Sequence, residues 1–178
     1  MEVKLRAGWN PAPGTKNLLK EFINERFFQK WNAEMAYVLG YIAADGSIII
    51  RKGRKSEQFI VNITSADKNH LIKIKNILRA KYKIGQKLSG SGNIAYQLQI
   101  SNSEMAKSLI KLGILPRKTY SLSSLKIPGK YFADFVRGFF DGDGTVYIYS
   151  VNGTPQIKSG FVAYKFDFCI WALRFNPT

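Results

Sequence analysis

Two carboxylates, Asp45 and Asp143, stand at matching places in two short segments of similar pattern, VLGYIAADGS (38–47) and VRGFFDGDGT (136–145). In each, small residues lie four apart (Gly40 and Ala44; Gly138 and Gly142), an Asp follows, and a Gly closes the run. Residues four apart share one face of a helix, so two such helices can approach closely along their small-residue faces. Each then delivers its Asp to the same end of the pair. That end is a poor place for carboxylates, because the two repel and each sits at the negative pole of a helix dipole; a cation between them resolves the conflict. Hard oxygen ligands suit Mg2+, with Ca2+ or Mn2+ able to substitute, and the reactant such a pair serves is a phosphodiester. One Asp-Gly is an ordinary helix terminator, whereas two in register point to chemistry.

The rest of the composition agrees with that reactant. The 178 residues hold 27 Lys and Arg against 12 Asp and Glu, a formal net charge of +15, and a pI near 9.9. Such a field attracts polyanions and argues against cationic metabolites or basic partners, so nucleic acid is the first expectation. With 46% hydrophobic and 13% aromatic residues the chain can bury a core, which excludes a disordered basic tail. The single cysteine, Cys169, allows neither a disulfide framework nor a zinc-finger spacing, and fits a reducing compartment. No secretory signal and no apolar window of roughly 18–20 residues is present. The expected location is intracellular, in a prokaryotic cytoplasm or an organelle, with no membrane partner.

These residues must be positioned by the elements around them. Residues 1–16, rich in Gly and Pro, read as an N-terminal arm. Apolar spacing over 17–45 predicts two helices broken near Trp31-Asn32, the second closed by Gly46. Alternation then predicts a hairpin from Ile48–Ile50 and Phe59–Ile63 across GRKS, and a helix opened by Asp67 with a stripe of Leu71, Ile74, Ile77 and Leu78. A second hairpin (Lys83–Leu88, Ile94–Ile100) and a capped helix (Asn102–Leu112) complete an αββαββα unit. The pattern then begins again, with its Asp 98 residues on (143 − 45): a helix from Phe132 to Asp143, strands either side of NGTP, and a helix from Tyr164. The expected class is mixed α/β (α+β), with a first repeat at 17–125 and a second, incomplete repeat at 126–178 that lacks its second hairpin and last helix. Apolar surface is expected in that second repeat, at Phe161, Phe166, Phe168, Ile170 and Trp171.

Over about residues 22 to 165 the chain resembles the LAGLIDADG homing endonucleases, through YVLGYIAADGS, FVRGFFDGDGT and the connecting GILPRKT. The resemblance implies two saddle-shaped antiparallel sheets astride duplex DNA, with the signature helices as the interface. It implies an intron-encoded enzyme that cuts both strands of a long recognition site, using divalent metal and leaving a 3′ overhang. Asp45 and Asp143 are then the catalytic, metal-holding acids. Lys118 matches a basic residue that assists cleavage, and its neighbour Arg117 could share the role. The sixth motif position is Ala43 in one copy and Asp141 in the other, so Asp141 is not needed for a symmetric site. The expected state is a monomer of pseudo-twofold repeats, or a chain paired with another polypeptide. The alternatives are a non-cleaving DNA- or RNA-binding protein, such as an intron maturase or regulator, and an inactive fragment of an endonuclease; an intein is disfavoured by Met1 and the Asn-Pro-Thr ending.

If the apolar faces of the hairpins pack on helices, the opposite faces carry Ile49, Arg51, Gln58, Ile60, Asn62, Thr64, Lys83, Lys87, Gln97 and Gln99. Amides suit adenine edges, arginine suits guanine, and a curved ribbon fits a major groove. Tyr147, Tyr149, Gln156 and Lys158 take comparable places in the second repeat. The run Arg51, Lys52, Gly53, Arg54, Lys55 reads as a loop that clamps phosphate. His70 is expected at the surface and Cys169 in the interior.

Overall fold

The computed structural model describes residues 23–53, 56–89, 92–116 and 125–161. Helix α1 (Ala33–Asp45) starts where expected: Asn32 leaves the helix with extended backbone, and its side chain accepts the Met35 amide at 2.7 Å. The helix expected before it is, over the described residues, only a 3-10 turn at Phe27–Gln29. Phe27 and Phe28 are both buried, ring edge to ring face, and Phe28 departs from helical backbone angles. The break in helical backbone at Phe28 is what departs from the periodic reading there.

Strands β1 (Gly46–Lys52) and β2 (Glu57–Ser65) pair antiparallel, with Gly46 opposite Ile63 and Lys52 opposite Glu57. Helix α2 (Lys68–Ile77) is capped by Asp67, which accepts the amides of Asn69 and His70. Strands β3 (Ile84–Leu88) and β4 (Ile94–Ser101) complete a four-stranded sheet in the order β1-β2-β4-β3, and α3 (Ser103–Lys111) follows an Asn102 cap. The helices cover one face of the sheet. Leu71, Ile74 and Leu78 from the α2 stripe join Met105 and Leu109 of α3, and meet Val61, Ile63, Leu98 and Ile100 from the sheet, all at 0% exposure. On ordinary transfer energies each such aliphatic side chain contributes roughly 1.5–3 kcal/mol.

The second half begins again with α4 (Phe132–Asp143), β5 (Gly144–Val151) and β6 (Thr154–Phe161). Its hairpin turns at Asn152 (φ 50°) and Gly153 (φ 81°), the Asn-Gly pair with two left-handed residues that a tight twisted hairpin requires. Gly144 faces Phe161 as Gly46 faces Ile63, so the 98-residue offset holds through the strand register. The environments differ. Ile48 is 3% exposed, whereas Val146, its counterpart, is 61% exposed, and Ile148 and Ile157 beside it are 72% and 74% exposed. The N-terminal arm and the segment holding the helix expected from Tyr164, with Phe166, Phe168, Cys169, Ile170 and Trp171, lie outside the described residues. Among those described, no helix is long and apolar enough to cross a membrane.

Candidate active site and nucleic-acid interface

α1 and α4 pack against each other through their glycines. A Cβ at Gly40 would overlap the Phe135 carbonyl, and one at Gly138 would overlap the Tyr37 carbonyl. Each glycine therefore lies under the carbonyl three residues before the other, which is the signature of a local two-fold axis. One turn further on, a Cβ at Gly142 would come 2.6 Å from the Ala44 Cβ and 3.7 Å from the Asp45 amide nitrogen. Ala44 and Gly142 are counterparts under the same offset, and equivalent residues that touch must sit on the axis. The backbones of Asp45 and Asp143, one residue beyond, flank it.

Both helices end alike: the Gly46 amide bonds to the Ile42 carbonyl and the Gly144 amide to the Phe140 carbonyl. The Asp side chains emerge at exposed positions from those ends. No basic residue stands in the last turn of either helix, so the dipoles meet no neighbouring cation from their own elements. Among the described residues no group of three or more His, Cys, Asp and Glu side chains could hold a metal. A donor set of two carboxylates fits a hard cation that takes its remaining ligands from phosphate and water, and does not fit a metal held by protein alone. Lys118 and Arg117 lie outside the described residues.

His70 is not a surface residue. Its side chain is only 17% exposed, stacked on Tyr41 with ring centres 4.5 Å apart and beside Tyr37. The Tyr37 hydroxyl donates to Asp141 Oδ2 at 2.7 Å, accepts from Lys73 Nζ at 3.0 Å, and lies 2.9 Å from His70 Nε2. One proton given and two accepted is the full capacity of a phenol, so His70 is the Nε2–H tautomer and donates. Burial, then the bond to Asp141, hold the Tyr37 phenol far above its ordinary range, which keeps that proton in place. The isolated histidine in a polar helix reads as solvated because its partners come from two other helices, at sequence separations of 33 and beyond. The signal that could have found it is the asymmetry already visible in the motifs, Tyr37 against Phe135 and Asp141 against Ala43.

Burial lowers the His70 pKa below 6.5; Asp141 and Asp67 act to raise it, and Lys73 to lower it. A histidine with a depressed folded pKa contributes stability that is full above about pH 6.5 and is lost as pH falls toward the folded value. Thermal unfolding of the wild type should therefore lose stability across that window, and His70→Gln should remove this component. An equally steep loss in the variant would mean that other groups cause it.

The sheet face away from the helices carries the expected readers. Arg51 lies opposite Gln58, Asn62 opposite both Ser47 and Gln99, and Thr64 opposite Gln97, whereas Lys87 is opposite Ala95. Two of the expected outward residues are buried, Ile60 at 5% and Asn62 at 9%, because β2 is an interior strand shaded by neighbours on both sides. Asn62 Nδ2 donates to Ser47 Oγ at 3.2 Å, while Oδ1 is buried with no hydrogen-bond partner. Ile50, expected inward, is 38% exposed near the free end of β1. The strand continues through Lys52, which pairs with Glu57 and alternates to the side opposite Arg51, so 51–52 are not part of a loop. Arg54 and Lys55 lie outside the described residues, and Lys83 is exposed just before β3. In the second hairpin Tyr147, Tyr149, Gln156 and Lys158 do share a face: Tyr147 pairs with Lys158, and the Tyr149 hydroxyl donates to Gln156 at 2.9 Å.

A family model described as a LAGLIDADG-like domain matches residues 32–112, from the cap of α1 to the residue that closes α3. That span holds the first of the two similar helices, α1; the second, α4, lies beyond it. Among solved structures the chain is similar to the homing endonuclease I-WcaI bound to its DNA recognition sequence, at 11% identity over 84% of this chain and 83% of that one, with a TM-score of 0.42. It is also similar to I-SmaMI bound to an uncleaved DNA target in the presence of calcium ions, at 19% identity over 72% of this chain, with a TM-score of 0.45. Of I-SmaMI the chain spans 65% of the length. No curated protein matches the chain.

Proposed function

We propose that this protein is a site-specific double-strand DNA endonuclease in which Asp45 and Asp143 hold divalent metal, Mg2+ in the working enzyme. The observation that carries the reading is the contact between Ala44 and Gly142 on the local two-fold axis, which sets the two acid-bearing helix ends on either side of it. The strands of a duplex are related by two-fold axes as well, so each Asp faces one scissile strand. When bound, divalent cation polarises the phosphodiester and acidifies the attacking water. The protein's own part is to fix the carboxylates, bind the backbone and bend a sheet into the groove. Lys118, with Arg117 beside it, supplies a cation near the scissile phosphate.

Sequence is read from the sheet face by Arg51, Gln58, Asn62, Thr64, Gln97 and Gln99, and from the second hairpin by Tyr147 and Tyr149. Asn62 Oδ1, which lacks a partner, accepts from a base amine once the side chain turns toward the groove. Lys52, Arg54, Lys55, Lys83, Lys87 and Lys158 contact phosphates and position the duplex. The two repeats, 17–125 and 126–178, act within one chain. The test is selection from a randomised duplex library with Mg2+: recovered ends should share one long site cut on both strands. Sequence-specific binding without cutting would instead support the maturase or regulator reading.

The charge of +15 sets a second expectation. If the protein neutralises on the order of 6–10 phosphates, raising salt from roughly 50 to 200 mM weakens duplex binding by about 10³–10⁵-fold. A titration with a nearly flat salt response would contradict a backbone-dominated interface. Lys87→Ala should lower affinity for all sequences alike, whereas Gln97→Ala should relax preference at one base pair.

A further inference from the structure

Where α1 and α4 meet, the local two-fold symmetry is broken around Tyr37. Around Tyr37 of α1 four charged or polar groups converge from two other helices: His70 and Lys73 from α2, and Asp141 and Arg137 from α4, with Arg137 over the Tyr37 ring at 5.0 Å. The counterparts of Tyr37, Asp141 and His70 under the 98-residue offset are Phe135, Ala43 and Phe168, none of which can hydrogen-bond through its side chain. Among the described residues the network therefore stands on one side of the axis. It is also the described polar link from α2, which carries the packed sheet, to the last turn of α4, two residues before Asp143.

We infer that Tyr37 and His70 are positioning residues that act through the Asp141 carboxylate to hold the α4 end, and with it Asp143, in register with Asp45. This rests on the nuclease reading above. Its geometric content is that a phenol at 2.7 Å and an imidazole 3.9 Å from Asp141 Oδ2 fix a carboxylate whose side chain is itself 31% exposed. The position before Asp45 that matches Asp141 is Ala43, whose side chain can take no part in such a bond. The two acids are thus held differently, and disturbance of the network falls on one strand of the duplex more than on the other.

Two measurements on the full chain test this. Because the chain has a single histidine, its imidazole NMR signals report on this network alone. Mg2+ alone, titrated into the wild type, should shift the His70 ring signals together with the Asp45 and Asp143 backbone amides. In Asp141→Asn the amides should still respond and His70 should fall silent. A silent His70 in a wild type whose Asp143 amide responds overturns the inference. If neither amide responds, with or without duplex, the metal reading fails and the inference falls with it. The second measurement follows each strand of a cleaved duplex separately. Tyr37→Phe, and Asp141→Asn should the former not fold, slow cutting of the strand facing Asp143 about 10–100-fold more than the other, so nicked duplex accumulates. Equal slowing of both strands would leave only a structural role and overturn the proposal.

Discussion

Replacing either Asp45 or Asp143 with Asn should abolish double-strand cleavage, lowering the rate by at least on the order of 10³-fold, while duplex binding changes little. The size follows from chemistry: a carboxylate that anchors divalent metal controls several kcal/mol of transition-state stabilisation, and each 1.36 kcal/mol is about tenfold in rate. Binding should survive because the proposed interface draws on cations away from the two acids, and Asn removes a negative charge that phosphates would meet unfavourably. The apo protein should gain thermal stability from either substitution, because each acid stands exposed at the negative end of its helix with no basic residue in that last turn. Activity lost together with stability would instead mean that the acids serve the fold. The measurements are strand-resolved cleavage, binding in Ca2+, and a thermal melt of the apo protein.

Much of this site is legible in the sequence because it depends on local pattern. Small residues four apart, an Asp and a closing Gly dictate a helix, its contact face and what stands at its end, and the structure bears out the contact at Gly40, Gly138 and Gly142. The hairpins are legible for the same reason: alternation over Phe59, Val61 and Ile63 fixes register, and a slip of one residue would turn all three away from the helices. What the pattern does not carry is anything set by neighbours distant in sequence. Ile60 and Asn62 read as outward by alternation, and they do lie on that face, yet their burial comes from β4, which arrives some 40 residues later. His70 is the same case in a helix: its own segment is polar, and the aromatic wall around it is contributed by α1. Over residues 23–30, the described part of the helix expected before Trp31, Phe27 and Phe28 are buried in a 3-10 turn, a local backbone form that apolar spacing alone does not distinguish from α-helix.

Filling the glycine contacts between α1 and α4 should have the largest effect on stability. At Gly138 and Gly40 a methyl would meet backbone, the Tyr37 and Phe135 carbonyls, which cannot rotate away as a side-chain end could. Gly138→Ala or Gly40→Ala is therefore expected to cost about 3 kcal/mol or more, at the upper end of ordinary overpacking, and to lower the melting temperature by roughly 6–12 °C. Gly160→Ala, in β6 with open space where the Cβ would stand, should leave it unchanged. The Gly142 position makes a sharper test because its obstacle is the Ala44 methyl, 2.6 Å from the added carbon, on the axis itself. Gly142→Ala alone should destabilise. Adding Ala44→Gly exchanges the two counterparts across the axis, removes the overlap, and should restore most of both stability and cleavage, a coupling of about 1–3 kcal/mol in the double-mutant cycle. If the two substitutions simply added, Ala44 and Gly142 would not be in contact across the axis, and Asp45 and Asp143 would not be set on either side of it.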